Sequence, residues 1–133
     1  MEDHSLDQSF PEEVSLLVFL EEQLIFSSDG KWLYPLFDFE DFLKTHAFDL
    51  NDIFLKDKVI GKASALLIIR MGIKKVHGDI MSELAMQVLV QNDIHYSYTT
   101  CVPRISCKTE ELLHEVNDPE IAYQILCKRA KRC

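Results

Sequence analysis

Two short polar segments each separate a predicted strand from the start of a predicted helix. The first holds Asp57, Lys58, Gly61 and Lys62, and the second holds Asp79, Ser82 and Glu83. A glycine turn followed by a lysine presents free backbone N–H groups and an ammonium, and this combination favours an anion. The serine and glutamate of the second segment are typical of helix starts in general. A single Gly-Lys pair fits tight packing of a helix on a sheet equally well, so spacing alone does not assign a phosphate site.

The cysteines are the second group of reactive residues. Cys101, Cys107, Cys127 and Cys133 are separated by 6, 20 and 6 positions, a pattern without the short spacing of a structural zinc knuckle. Cys101 ends the last predicted strand and Cys107 lies in the following loop, where a thiol nucleophile would have Asp79 or Glu110 as a nearby carboxylate. Small buried free thiols are the commoner case. The histidines lack matched ligand spacing, so we predict no metal site and no cofactor.

Composition excludes several classes of protein. The chain has 133 residues, a net charge of −8 and 47% hydrophobic residues, which fits one soluble domain. Residues 1–30 carry eight acids and no Lys or Arg, and the remaining 103 residues carry fourteen of each sign. Such a distribution does not suit nucleic-acid binding. No segment is apolar over the ~20 residues that a membrane span needs, and the N-terminus lacks a signal pattern, so we expect a cytoplasmic protein.

The elements that position these residues follow from periodicity and turn signals. Residues 1–12 are predicted to form a flexible acidic arm, and residues 13–133 a single domain. Residues 13–20 and 23–27 predict a hairpin, and the apolar spacing from Leu33 to Leu43 predicts a helix. Strands at 53–59, 73–78 and 94–101 then alternate with helices at 63–71 and 83–90, and helices at 109–116 and from Pro119 follow. This alternation predicts three parallel strands with right-handed crossovers, in an α/β domain.

The sequence resembles a family of small bacterial and archaeal domains of unknown function with a cytidine-deaminase-like fold. The resemblance rests on the run DKVIGKASALLIIRMGIKKVHGDIMSELAMQVL, followed by VPRISCKTEELL and NDPEIAYQIL, and covers about residues 13–129. It implies a three-layer α/β/α domain with a mixed sheet and no established activity. Zinc deaminases place His or Cys ligands and a catalytic Glu at two helix starts, and here those starts read Gly61-Lys62-Ala63 and Met81-Ser82-Glu83. The chain is therefore not expected to be a zinc-dependent deaminase.

Three hypotheses of function remain. In the first, the domain binds a nucleotide-like or other anionic small molecule, with Asp57, Lys58, Gly61 and Lys62 facing Ser82 and Glu83 across two adjacent helix N-termini. In the second, it is an enzyme that uses Cys107 or Cys101 as nucleophile, with Asp79 or Glu110 beside it. In the third, it is a non-catalytic interaction module that uses a sheet edge or a helix face to form a homodimer. The corresponding partner is a phosphate-bearing small molecule or a second copy, and neither nucleic acid nor membrane.

Overall fold

The computed structural model describes residues 13–105 and 108–133, which build a mixed five-stranded sheet and five α-helices. The predicted arm, residues 1–12, and Cys107 lie outside the described residues. The strands are β1 (Leu16–Leu20), β2 (Gln23–Ser28), β3 (Ile53–Ile60), β4 (Lys75–Ser82) and β5 (His95–Val102), in the spatial order β2-β1-β3-β4-β5. β1 is antiparallel to both β2 and β3, whereas β3, β4 and β5 run parallel. The predicted α/β class, hairpin and parallel trio are confirmed.

The helices begin and end where local chemistry favours it. They are α1 (Tyr34–Thr45), α2 (Lys62–Met71), α3 (Glu83–Gln91), α4 (Lys108–Leu112) and α5 (Pro119–Ala130). Gly72 ends α2 at φ +88°, where its N–H donates to the carbonyls of Ile68 and Ile69. The Ser82 hydroxyl caps α3 by accepting from the N–H of Ala85, and the Asp118 carboxylate caps α5 in the same way. The predicted helix starts at Ser82 and Pro119 are confirmed.

α2 is the central helix of the domain. Seven consecutive residues from Lys62 to Ile68 are buried, since α2 packs on β3 and contacts α1, α3, α4 and α5. The core beneath it joins Leu16 and Val18 of β1 to Ile53 and Leu55 of β3, all fully buried. Each such side chain contributes about 1.5–3 kcal/mol through removal from water. The carboxyl end of β3 and the start of α2 are thereby held in fixed positions.

The predicted ends of β4 and of the helix after β5 were wrong. β4 was expected to end at Gly78, but it continues to Ser82. Gly78 is a packing residue, because a Cβ there would lie 3.2 Å from the side chain of Ile60 on the neighbouring strand. The predicted helix at 109–116 is the short helix α4, and its last residues form turns in which Val116 N–H donates to the Leu113 carbonyl.

In the described part of the chain, none of the helices has the length and apolar content needed to cross a bilayer.

Candidate functional site

A pocket of about 380 Å³ opens at the carboxyl end of β3. Its wall is made by the end of β3, the first residues of α2, the turn that precedes α1, and residues around α4. The lining residues are Ser15, Gly30–Leu33, Asp57–Val59, Gly61–Ser64, Ile105, Thr109 and Glu110. The predicted residues Asp57, Lys58, Gly61 and Lys62 thus come together, as expected for the outer end of a parallel strand. Ser82 and Glu83 lie outside this lining.

The Glu110 carboxylate occupies the two helix starts that were expected to bind an external anion. Glu110 is 4% exposed, and its Oε2 accepts from the Lys62 N–H at 2.8 Å and from the Ser82 hydroxyl at 3.1 Å. Its Oε1 accepts from the N–H of Ile105. Since Ser82 also caps α3, one internal carboxylate joins the starts of α2 and α3. The two starts are adjacent, and their nearest anion belongs to the chain itself.

Lys62 is directed away from the position that the sequence suggested. Its Nζ donates to the carbonyl oxygens of Leu113 at 2.8 Å and His114 at 3.2 Å, just after α4. Burial lowers the pKa of the Lys62 ammonium, and the charge of Glu110 partly opposes that shift. The expected contact between this ammonium and an anion therefore has no support in the geometry, because the group already satisfies buried carbonyls at the end of a helix.

Asp57 supplies the titratable group of the pocket. It lies in the second half of β3, opposite Gly78 of β4. Burial raises the pKa of the Asp57 carboxyl from its ordinary 3.8 to about 7, although hydrogen bonds from the N–H groups of Val59 and Lys58 oppose the rise. A carboxyl with such a pKa exchanges a proton near neutral pH. It can then act either as an acceptor only or as a donor and acceptor together.

Trp32 forms an aromatic wall of the pocket. Its backbone adopts a positive φ of +56°, and its indole N–H donates to the Thr109 hydroxyl at 3.0 Å. The ring meets Tyr34 edge to face with 5.3 Å between centroids, yet Trp32 remains 40% exposed. Sequence reasoning missed this residue. The signal available was the Asp29-Gly30 turn, which brings the following residues back toward the sheet end.

The four predicted catalytic residues do not assemble into one described site. Cys101 is exposed on β5, and Asp79 lies on β4 with its carboxylate 3.5 Å from His77 Nε2. Neither residue lines the pocket, whereas Glu110 does. With Cys107 outside the described residues, the cysteine-dependent enzyme stays a prediction.

Among residues 13–105 and 108–133, no group of three or more His, Cys, Asp or Glu residues is arranged to hold a metal ion. Among the described His, Cys, Asp and Glu residues, two carboxylates line the pocket, Asp57 and Glu110. Glu110 is already committed to three hydrogen bonds from the protein.

Comparison with known proteins gives a family. A family model described as TM1506, Domain of unknown function (DUF1893), matches residues 6–129. The solved structure of a DUF1893 family protein (TM1506) from Thermotoga maritima has a TM-score of 0.78 and 25% sequence identity, and the match covers 89% of this chain and 82% of that one. A search of curated proteins found no match. Neither match names a deaminase, so the cytidine-deaminase likeness stays a prediction. The chain belongs to the DUF1893 family.

Proposed function

We propose that this domain binds a small molecule with a flat, nucleobase-like ring in the pocket at the end of β3. The observation that carries this proposal is the combination of an aromatic wall, Trp32, with a carboxyl whose pKa is about 7, Asp57, in one cavity of about 380 Å³. Cavities of this size suit small organic ligands. The ring of such a ligand would contact the indole, and its polar edge would meet the carboxyl.

The carboxyl determines which ring edge fits best. A protonated Asp57 has one O–H donor and one C=O acceptor side by side. This pair matches a ring nitrogen beside an amino group, in the way that an asparagine side chain binds the edge of adenine. An ionised carboxylate lacks the donor and would lose half of this match. Binding is therefore expected to weaken as the pH rises above about 7.

The phosphate part of a nucleotide-like ligand needs a different position from the one the sequence suggested. The Glu110 carboxylate already accepts hydrogen bonds from the starts of α2 and α3, and the Lys62 ammonium donates to carbonyl oxygens. Lys31 is exposed and also lines the pocket, so it is the cation best placed to meet a phosphate outside the ring site. Exposed charge pairs contribute little, so the ring is expected to supply most of the affinity.

The test is a thermal-shift and calorimetric comparison of nucleosides, nucleotides and inorganic phosphate. We expect ring-bearing ligands to raise the melting temperature and phosphate alone to leave it unchanged. Asp57→Ala and Trp32→Ala should each weaken binding about tenfold or more, whereas Asp57→Asn should keep the affinity and lose its pH dependence. Lys31→Ala should affect only the phosphorylated ligands.

Two results would overturn the proposal. If no nucleoside or nucleotide shifts the native protein, the ring site is wrong. If inorganic phosphate alone gives the shift and Lys62→Ala removes it, the ligand is an anion held at the helix starts, as the sequence first suggested.

A further inference from the structure

We propose that Ser97 is a nucleophilic serine, activated by His77 and Asp79, that accepts the acyl group of small carboxylic esters. The three residues lie on β4 and β5, and none of them lines the pocket at the end of β3. Val76, next to His77 in the chain, is buried in the core, so the His77 side chain points to the other face of the sheet. The inference is therefore independent of the ligand proposed above.

The register of two parallel strands brings these side chains together. Ser97 of β5 is paired with His77 of β4, so both side chains point to the same face. Asp79 is two residues beyond His77, and Thr99 is two residues beyond Ser97, so they share that face. His77 and Ser97 are 20 positions apart in the chain, and for this reason no local sequence pattern indicated the cluster.

Hydrogen bonds give the imidazole the orientation of a base beside a nucleophile. The Ser97 hydroxyl lies 2.7 Å from His77 Nδ1. On the other side of the ring, Nε2 lies 3.5 Å from the Asp79 carboxylate and 3.3 Å from the Thr99 hydroxyl. A carboxylate can only accept, so Asp79 favours the tautomer with the proton on Nε2, which leaves Nδ1 to accept from the serine O–H. Unrelated hydrolases activate serine by a nucleophile, a base and a carboxylate in this order.

The charge state of His77 suits a base. Its side chain is 16% exposed, and burial together with the positive charge of Lys56 lowers the pKa of the imidazole below its ordinary 6.5, although Asp79 partly opposes this shift. The ring is therefore mostly uncharged at pH 7 and can take a proton. Lys56 lies opposite His77 on β3, and its charge favours the negative oxygen that develops when Ser97 attacks a carbonyl.

The acyl transfer needs no co-reactant besides the ester and water. Ser97 Oγ bonds to the acyl carbon while its proton passes to His77 Nδ1, and the carbonyl electron pair moves onto the carbonyl oxygen. When that pair returns, the bond to the leaving oxygen breaks, and the leaving group takes the proton from Nδ1 and departs as an alcohol. Water then repeats these steps on the acyl-serine and releases the acid. Ser97 and Thr99 are exposed, so small esters with a good leaving group are the expected substrates.

The test is covalent labelling of the full chain, located by mass spectrometry. An alkyl fluorophosphonate should react at Ser97, where fluoride leaves phosphorus as the bond to Oγ forms, and p-nitrophenyl acetate should acetylate the same residue. Ser27, an exposed serine on β2, is the internal control and should react at least about tenfold more slowly. The labelling rate of Ser97 should rise with pH to a plateau, with its midpoint below pH 6.5.

Four substitutions separate a base-activated serine from one that is only exposed. Ser97→Ala should remove both labels. His77→Gln keeps a hydrogen-bonding side chain but loses the base, so the labelling rate should fall about a hundredfold. Asp79→Asn should lower the rate about tenfold and move the midpoint of the pH profile lower, because the carboxylate that raises the pKa of His77 is lost. Thr99→Val leaves Ser97 and Asp79 in place and should change the rate by less than about threefold.

The native chain alone can contradict the proposal, since labelling of Ser97 no faster than that of Ser27 would show that the hydroxyl is not activated. A rate at Ser97 that His77→Gln leaves unchanged would contradict it as well, because the imidazole would then not act as the base. Neither result affects the ring site, which is measured by ligand-induced melting shifts at the pocket.

Discussion

At the scale of single residues, a carboxyl group that titrates near neutral pH also affects folding. Asp57 keeps its proton in the folded chain up to a pKa of about 7, whereas an unfolded carboxyl releases it near 3.8. Between these values the folded state binds more protons than the unfolded state. The free energy of unfolding therefore falls as the pH rises through this interval. The site consequently carries a cost in stability above neutral pH.

Asp57→Asn should remove this cost, because an amide oxygen still accepts from the backbone N–H groups and carries no charge. At about pH 8 the variant should be more stable than the native chain by about 2–4 kcal/mol, and at about pH 3, below the unfolded pKa, the two should agree within about 0.5 kcal/mol. Urea unfolding at both pH values measures the difference. An equal gain at both values would show that the carboxyl has an ordinary pKa.

Residue types alone predicted part of the site. Asp57, Lys58 and Gly61 could be placed in a cleft because the end of a parallel strand and the start of a helix are local features. The direction of the Lys62 side chain could not be predicted, since its acceptors, the carbonyls of Leu113 and His114, are 51 and 52 positions away. Glu110 was named only as a carboxylate near a thiol, and its role as a shared helix cap depends on the same long-range packing.

At the scale of elements, Glu110 fixes α4 against the starts of α2 and α3. Gly61 permits this contact, because a Cβ at that position would lie 2.8 Å from Glu110 Oε2 and 3.1 Å from Ile105 Cγ1. The hydrogen bonds that hold the short helix α4 in place are therefore possible only because residue 61 has no side chain. It also supplies Thr109, the partner of the Trp32 indole. Loss of the Glu110 contacts should therefore disturb the aromatic wall of the pocket.

Glu110→Gln should destabilise the fold by about 2–4 kcal/mol. An amide has one acceptor oxygen, and its N–H₂ group would face a donor whose hydrogen bond the native carboxylate accepts. The matched control is Glu111→Gln on the same helix, where the side chain is exposed and the change should stay within about 0.5 kcal/mol. Chemical denaturation compares the two. Similar costs for both variants would mean that charge on α4, and not the buried contacts, stabilises this region.

The elements themselves were predictable to the extent that their signals were local. The alternation from β3 through β5 and the helix start at Ser82 were predicted from neighbouring residues and are confirmed. β4 was predicted too short because Gly78-Asp79 has the composition of a turn. The glycine instead leaves space for the side chain of Ile60 on the neighbouring strand, and the local sequence gives no sign of that contact.

At the scale of the whole molecule, we predict that no transition metal accompanies the protein. Gly61, Lys62, Ser82 and Glu83 stand at the two helix starts, and none of them offers the imidazole or thiolate that zinc prefers. Elemental analysis of purified protein should give far less than one metal per chain, and a chelator should leave the unfolding curve unchanged. One zinc per chain, or a lower melting temperature with chelator, would contradict this.

The place of β1 inside the sheet has a consequence for how the chain reaches its fold. β1 precedes both of its neighbours in the chain: β2 follows at once, whereas β3 begins only at Ile53. The hairpin therefore exposes an open, strongly apolar edge, Leu16–Leu20, until the ribosome has released β3 some thirty residues later. Closing that longer loop is slower than forming the hairpin. The interval is the stage of biosynthesis at which this chain is most exposed to wrong strand pairing.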